Sequence, residues 1–236
     1  MQLFYNKHIS ESTKQFTFNK DESRHIIRVL RKKEGDKLYI TNGNNYLFTV
    51  EIIIANDKKC IASIINKEEK TCARNYYLHV AIAPTKNNDR LEWFLEKATE
   101  IGIDEITPII CKNSERKVVK TERLTKIIQS AMKQSLQYKL PKLNEPIKFS
   151  EFIHKKFSSQ LFIAHCENDG DKDTLKKSIK LATSYTVLIG PEGDFSTEEI
   201  KKSLAQKFSP ITLGNTRLRT ETAGLAAVQQ ISFLHQ

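Results

Sequence analysis

The chain has 236 residues, 39% hydrophobic and 28% charged, enough for a buried core without a disulfide or metal staple. Its 38 basic and 28 acidic residues leave a formal net charge of +10, so the expected partner is a polyanion, with RNA or DNA preferred over a membrane surface. No apolar run approaches the ~18 residues of a membrane helix, MQLFYNKHIS lacks a signal-peptide pattern, and Cys60, Cys72, Cys111 and Cys166 form no CxxC pair, which gives a cytoplasmic reading with buried thiols and no metal.

The first 70 residues read mostly as strands. KLYITN, YLFTVEIIIA and KCIASIIN are β-branched and aromatic, and NGN and NDK turns separate them. One helix, DESRHIIRVLRKKEGD, interrupts them, with Asp21 or Ser23 as cap and Gly35 as stop. The polar stretch KEEKTCARN is the expected linker, dividing a β domain over 1–70 from a second domain over 75–236. After it strands and helices alternate. YYLHVAIA, EITPIIC, QLFIAHC, YTVLIG and PITLG read as strands. RLEWFLEKATEIG, TERLTKIIQSAMKQSL, SEFIHKKF, TLKKSIKLA, STEEIKKSLAQKF and TETAGLAAVQQISFLH read as helices, so this half is α/β with a mainly parallel sheet.

Two glycine-bearing strand ends stand out in a chain with only 8 glycines. IGPEGDFSTEEI joins an apolar strand to a helix that Ser196 and Glu199 can cap as a box. It is neither a P-loop nor a dinucleotide fingerprint. LGNTRLRTETAG joins a strand to the last helix, with Glu221 in the first turn. Ligands of α/β sheets collect at the carboxyl ends of strands, where both loops fall. Arg24, Arg28 and Lys32 lie four apart on the N-terminal helix with Arg31 beside them, a pattern suited to phosphates. His25 and His165 have no identifiable nucleophile partner, and ENDGDKD does not fit a calcium loop.

RHIIRVLR, KNNDRLEWFLEKATEIG, NSERKVV, AMKQS…LP, IGPEGDFS and LGNTRLRTETA occur in an order that resembles the ribosomal RNA small-subunit methyltransferase E family of the SPOUT, or α/β-knot, superfamily. The resemblance covers nearly the whole chain. It implies a small PUA-like β-barrel for RNA followed by a trefoil-knotted α/β domain, a homodimer, and transfer of a methyl group from S-adenosyl-L-methionine to N3 of a uridine in 16S rRNA. On it, Leu188, Gly190, Pro191, Glu192, Gly193, Leu213, Gly214 and Leu218 hold the cofactor. Arg90 or Arg219 steadies the uridine anion, and Glu221 orients that arginine or takes the proton. Arg24, Arg28, Arg31, Lys32 and Arg116 contact RNA phosphates. The chain departs from the family pattern at Asp194, where a second glycine is usual, and at Lys133, Gln134 and Gln137. A non-catalytic RNA-binding or ribosome-assembly factor, or a methyltransferase of another RNA such as tRNA, would keep the same fold.

Overall fold

The structure is a computed structural model that describes residues 1–70, 74–167, 172–181 and 184–236. Cys72 and parts of the expected linker and of the acidic loop ENDGDKD lie outside the described residues. The chain divides into two compact units. The first takes Met1–Ala73 with Met132–Leu140, and the second takes Arg74–Ala131 with Pro141–Gln236.

The first unit contains β1 (Leu3–Tyr5), β2 (Gln15–Thr17), α1 (Lys20–Arg24), β3 (Lys37–Thr41), β4 (Tyr46–Ile54) and β5 (Ile61–Glu69). They form one sheet in the order β1-β3-β4-β5-β2, antiparallel except for the β1–β3 pair. Strand alternation sends Leu38, Ile40, Phe48, Val50, Ile52 and Ala62 into one core with Phe4, Phe18 and Ile26. Register shifts at Thr49/Val50 and Ile52/Ile54 bend the β4–β5 pair. β5 runs through Lys67–Glu69, residues whose polarity reads as linker in the sequence.

The helix differs from expectation. Asn19 caps α1, accepting from the Glu22 N–H at 2.8 Å. Ser23 is buried, and its hydroxyl donates to the Phe18 carbonyl and accepts from the Cys60 N–H. Past Arg24 the backbone widens into a π turn over His25–Val29, and Arg31 then turns left-handed with φ 55°. Helix periodicity therefore stops before Lys32, and Arg24, Arg28 and Lys32 do not continue one helical face. Residues 132–140, read from sequence as part of the second domain, pair with the β3–β4 turn. The Tyr138 carbonyl accepts from Thr41 Oγ1 at 3.0 Å and from the Asn45 N–H at 2.9 Å, and the Leu140 N–H donates to the Gly43 carbonyl at 2.8 Å.

The second unit contains β6 (Tyr77–Ile82), α2 (Asn88–Ile101), β7 (Glu105–Ile110), most of α3 (Thr121–Gln134), β8 (Lys142–Leu143), β9 (Ile147–Lys148), α4 (Phe149–Phe152), β10 (Gln160–Ala164), β11 (Asp173–Thr174), α5 (Leu175–Ser178), β12 (Ser184–Ile189), α6 (Thr197–Ala205), β13 (Ser209–Thr212) and α7 (Thr220–Leu234). The sheet is parallel, in the order β11-β13-β10-β12-β6-β7-β8, with β9 beside β7. The central strands β6 and β12 are buried on both faces, which explains their near-continuous apolar runs. Leu91, Phe94, Leu95 and Ala98 form the buried stripe of α2. α7 packs on α2, β6 and β12, and Gly224 makes the approach possible: a Cβ there would lie 2.8 Å from the Phe94 ring and 2.9 Å from Ile82 Cδ1. Among the described residues, no helix is long and apolar enough to cross a membrane.

Candidate active site

β12 ends at Ile189 and runs into Gly190-Pro191-Glu192-Gly193-Asp194. The Asp194 N–H donates to the Pro191 carbonyl at 2.8 Å and closes a tight turn. Asp194 is left-handed, with φ 62°, a conformation that aspartate tolerates better than most residues. Its carboxylate accepts from the N–H of Cys166 and of Phe195, both at 2.7 Å, so it ties this loop to the end of β10. The departure from glycine thus gives the loop an anchor that glycine would lack. Gly190 must stay small, because a Cβ would fall 3.0 Å from the Phe195 ring and 3.1 Å from the Phe195 nitrogen.

The expected capping box is present at Ser196 and Glu199. The second Glu199 oxygen accepts from the Lys112 N–H at 2.8 Å, and Asn113 donates to the carbonyls of Gly193 and Asp194, each at 3.1 Å. The loop after β7 is therefore laced to the loop after β12. The β6–α2 connection joins them through the Lys86 N–H, which donates to Glu192 Oε1 at 2.9 Å.

From β13 the chain returns past the ends of β10 and β12 to α7. Its residues Arg217, Leu218 and Arg219 face Gly190, Pro191 and Glu192 across a cleft of about 270 Å³, floored by Ala164 and Ile189. A smaller lobe of about 70 Å³ shares Ala164, Cys166, Leu218 and Ala223 with it and is lined by Leu213 and Gly214. Six of the eight residues expected at the cofactor thus line these spaces. Leu188 is instead buried in the core beneath them, and Gly193 backs onto Asn113. Cys166, expected to be buried, is exposed at the cleft, whereas Cys60 and Cys111 are buried. Burial raises the pKa of both buried thiols.

The three residues expected to carry chemistry sit around the start of α7. Arg219 is the exposed N-cap residue and lines the cleft; no side chain caps this helix. Glu221 is 6% exposed, and its Oε2 meets no hydrogen-bond partner among the described residues. The Arg90 guanidinium, from the first turn of α2, stands 3.8 Å from Glu221 Oε1. A buried carboxylate beside one guanidinium, with one oxygen unmatched, is set up to hold a second donor.

Two of the residues expected at RNA phosphates already have partners within the protein. Arg28 is paired with Asp57 at 2.7 Å. Arg116 donates to the Thr85 carbonyl at 3.2 Å and to the Lys86 carbonyl at 2.7 Å, so its guanidinium braces the β6–α2 loop. Arg24 and Arg31 are exposed. Sequence reasoning missed Cys166, Asp194, Arg217 and Thr220 at the cleft. The strand-end rule applied to β10 would have found Cys166, but the return path that brings Arg217 to Glu192 leaves no local signal.

The RNA methyltransferase domain model matches residues 73–232, and the RNA methyltransferase PUA domain model matches residues 18–65. The chain is 30% identical to the ribosomal RNA small subunit methyltransferase E of Buchnera aphidicola subsp. Acyrthosiphon pisum, across 91% of this chain and 86% of that one. A probable rRNA-methyltransferase from Porphyromonas gingivalis superposes with TM-score 0.93 at 38% identity, covering 100% of this chain and 98% of that one. The ribosomal RNA small subunit methyltransferase E of Neisseria gonorrhoeae, solved bound to S-adenosyl methionine, gives TM-score 0.86 at 25% identity and covers 99% and 98%. The fold is thus an α/β-knot methyltransferase domain with a PUA-like β domain, and the chain belongs to the ribosomal RNA small subunit methyltransferase E family.

Proposed function

We propose that the protein uses S-adenosyl-L-methionine to methylate N3 of a uridine in the 16S rRNA of the small ribosomal subunit. The observation that carries this reading is the convergence of Gly190–Asp194 and Leu213–Arg219 on one cleft at the start of α7, where one oxygen of Glu221 has no partner among the described residues. The cleft suits the cofactor. Gly190 is held small by Phe195, and a Cβ on Gly214 would meet no protein atom within 4 Å, so it would occupy cleft space. Leu213, Gly214 and Leu218 would hold the cofactor on one side, and Gly190, Pro191 and Glu192 on the other. When bound, S-adenosyl-L-methionine supplies an electrophilic methyl group on a good leaving group.

The protein's remaining task is to position the uridine and handle the N3 proton, because protonated N3 is a poor nucleophile. Arg219, on the cleft rim, offers its guanidinium to the anion left when the proton departs. Glu221 orients Arg90 at the start of α2 or takes the proton on its unmatched oxygen. Arg24, Arg31 and Lys32 contact phosphates from the first unit. We further infer a homodimer. Phe233 near the end of α7 is 68% exposed and Trp93 on α2 is 42% exposed, two large apolar side chains open to a partner.

The test is transfer of label from S-adenosyl-L-methionine to small subunits that lack the modification, with nucleosides identified by mass spectrometry. N3-methyluridine supports the reading, and cofactor binding without transfer to any rRNA contradicts it.

A further inference from the structure

At the end of the parallel sheet opposite the cofactor cleft lies an open groove of about 820 Å³. It is formed at the amino ends of β10 and β13, by the segment after α4 and the residues after α6. Lys155, Lys156, Lys180 and Lys207 line it together with His154, and among the described residues no Asp or Glu does. All four lysines are exposed, and none has a carboxylate partner among the described residues. Elsewhere on the chain Lys67, Lys70, Lys97 and Lys202 each meet a glutamate within 3.0 Å, so the groove gathers cations whose charge no neighbouring carboxylate offsets.

Two of these lysines are held in place. The Gln160 side chain grips the backbone of Lys180 from both sides, donating to its carbonyl at 2.5 Å and accepting from its N–H at 2.9 Å. Lys207 follows α6 in the left-handed region, φ 66°, a position that helices commonly give to glycine. A strained lysine persists where glycine would relax the backbone, which points to use of its side chain. We propose that this groove is a second docking surface for the phosphate backbone of the RNA substrate, remote from the methyl-transfer cleft. This rests on the reading that the substrate is RNA. A positive groove free of carboxylates, with the neutral hydrogen-bonding groups of Ser159, Gln160, Gln206 and Ser209 between its cations, suits a sugar–phosphate strand.

The experiment compares RNA binding by the full protein, by a groove variant (Lys155→Gln, Lys156→Gln, Lys180→Gln, Lys207→Gln) and by a charge-matched control (Lys67→Gln, Lys70→Gln, Lys97→Gln, Lys202→Gln). Small-subunit rRNA is titrated from low to moderate salt. The slope of log affinity against log salt should flatten by roughly 0.7–0.9 for each phosphate deprived of its lysine. The groove variant should show a flattening worth at least two phosphates and the control less than one, with S-adenosyl-L-methionine affinity unchanged in both. Lys207→Gly alone should raise the melting temperature while weakening RNA binding, a combination that a purely structural lysine would not produce. Equal slopes for groove variant and control would overturn the docking surface and leave the methyltransferase reading intact. Absence of RNA binding by the unmodified protein would overturn both.

Discussion

Arg90, Glu221 and Arg219 occupy three different environments, so on the proposed mechanism their substitutions should separate in kinetics. Arg219→Ala removes one of the two cleft arginines and should lower kcat by about 100-fold, the scale of one missing charge-stabilising donor, with cofactor affinity nearly unchanged. Arg90→Ala leaves the buried Glu221 carboxylate without the cation beside it, so it should lower both turnover and stability. Undiminished turnover in the Arg90 variant would remove that residue from the mechanism. Gly190→Ala tests the loop itself. The added methyl would press on the Phe195 ring and backbone, which should cost about 1–3 kcal/mol and weaken cofactor binding together. Thermal unfolding and cofactor titration on the same sample check both effects. At this scale the glycines and charged residues are legible in the sequence, because motif spacing is local. The engagement of Arg116 by backbone carbonyls and of Arg28 by Asp57 is not, since both interactions join segments roughly 30 residues apart.

Among the elements, β6 and β7 carry a buried polar network apart from the cleft. His79 Nε2 meets Thr107 Oγ1 at 2.8 Å, while Glu105 accepts from Tyr77 at 2.7 Å and from Asn144 at 2.6 Å. Burial pushes the His79 pKa down to about 4, against the attraction of Glu105. Burial alone would raise Glu105, but hydrogen bonds from Asn144 and Tyr77, the charge of His79 and a hydrogen bond from Lys142 together bring it down to about 2. Because His79 binds its proton less readily in the folded chain than in the unfolded one, acid favours unfolding. Stability should fall as pH drops from about 6.5 to about 4, by at most about 3 kcal/mol from this group. Glu105 contributes stability that is present above about 4.5 and is lost as pH falls towards about 2. Denaturant unfolding across this range should show the loss, and His79→Asn should flatten it between about 6.5 and 4. Gly224→Ala sets helix propensity, a gain near ~1 kcal/mol, against overlap with Phe94 and Ile82. Because the ring is fully buried, the variant should be less stable by about 1–2 kcal/mol. Periodicity makes α2 and α6 legible, and continuous apolar runs do the same for the central strands; α2 and α7 match their expected bounds closely, whereas α6 stops at Ala205, short of the expected Phe208. The short strands β1, β2, β8, β9 and β11 leave no such trace, because pairing rather than pattern defines them.

At the scale of the molecule, the change from strand rhythm to strand–helix alternation separates the two units in the sequence. The placement of residues 132–140 with the first unit has no such signal, because it depends on backbone bonds to the β3–β4 turn that no side-chain pattern announces. The same limit applies to the knot: its loops are legible as glycine-bearing strand ends, but their mutual approach depends on the path from β13 to α7. The proposed homodimer belongs to this scale too, with Phe233 as the exposed large apolar side chain of α7. If the proposed dimer forms through this end of α7, Phe233→Glu should yield a monomer in sedimentation where the unmodified protein is a dimer, and an unchanged mass would remove α7 from the interface. These features meet at the cleft between Gly190–Asp194 and Leu213–Arg219, where a methyl group would pass to rRNA. The decisive experiment incubates the purified protein with labelled S-adenosyl-L-methionine and unmodified small subunits, then digests the RNA and identifies the labelled nucleoside. N3-methyluridine at a single site, formed about 100-fold more slowly by the Arg219→Ala variant, is the expected result; label on another base, or none despite bound cofactor, would contradict it.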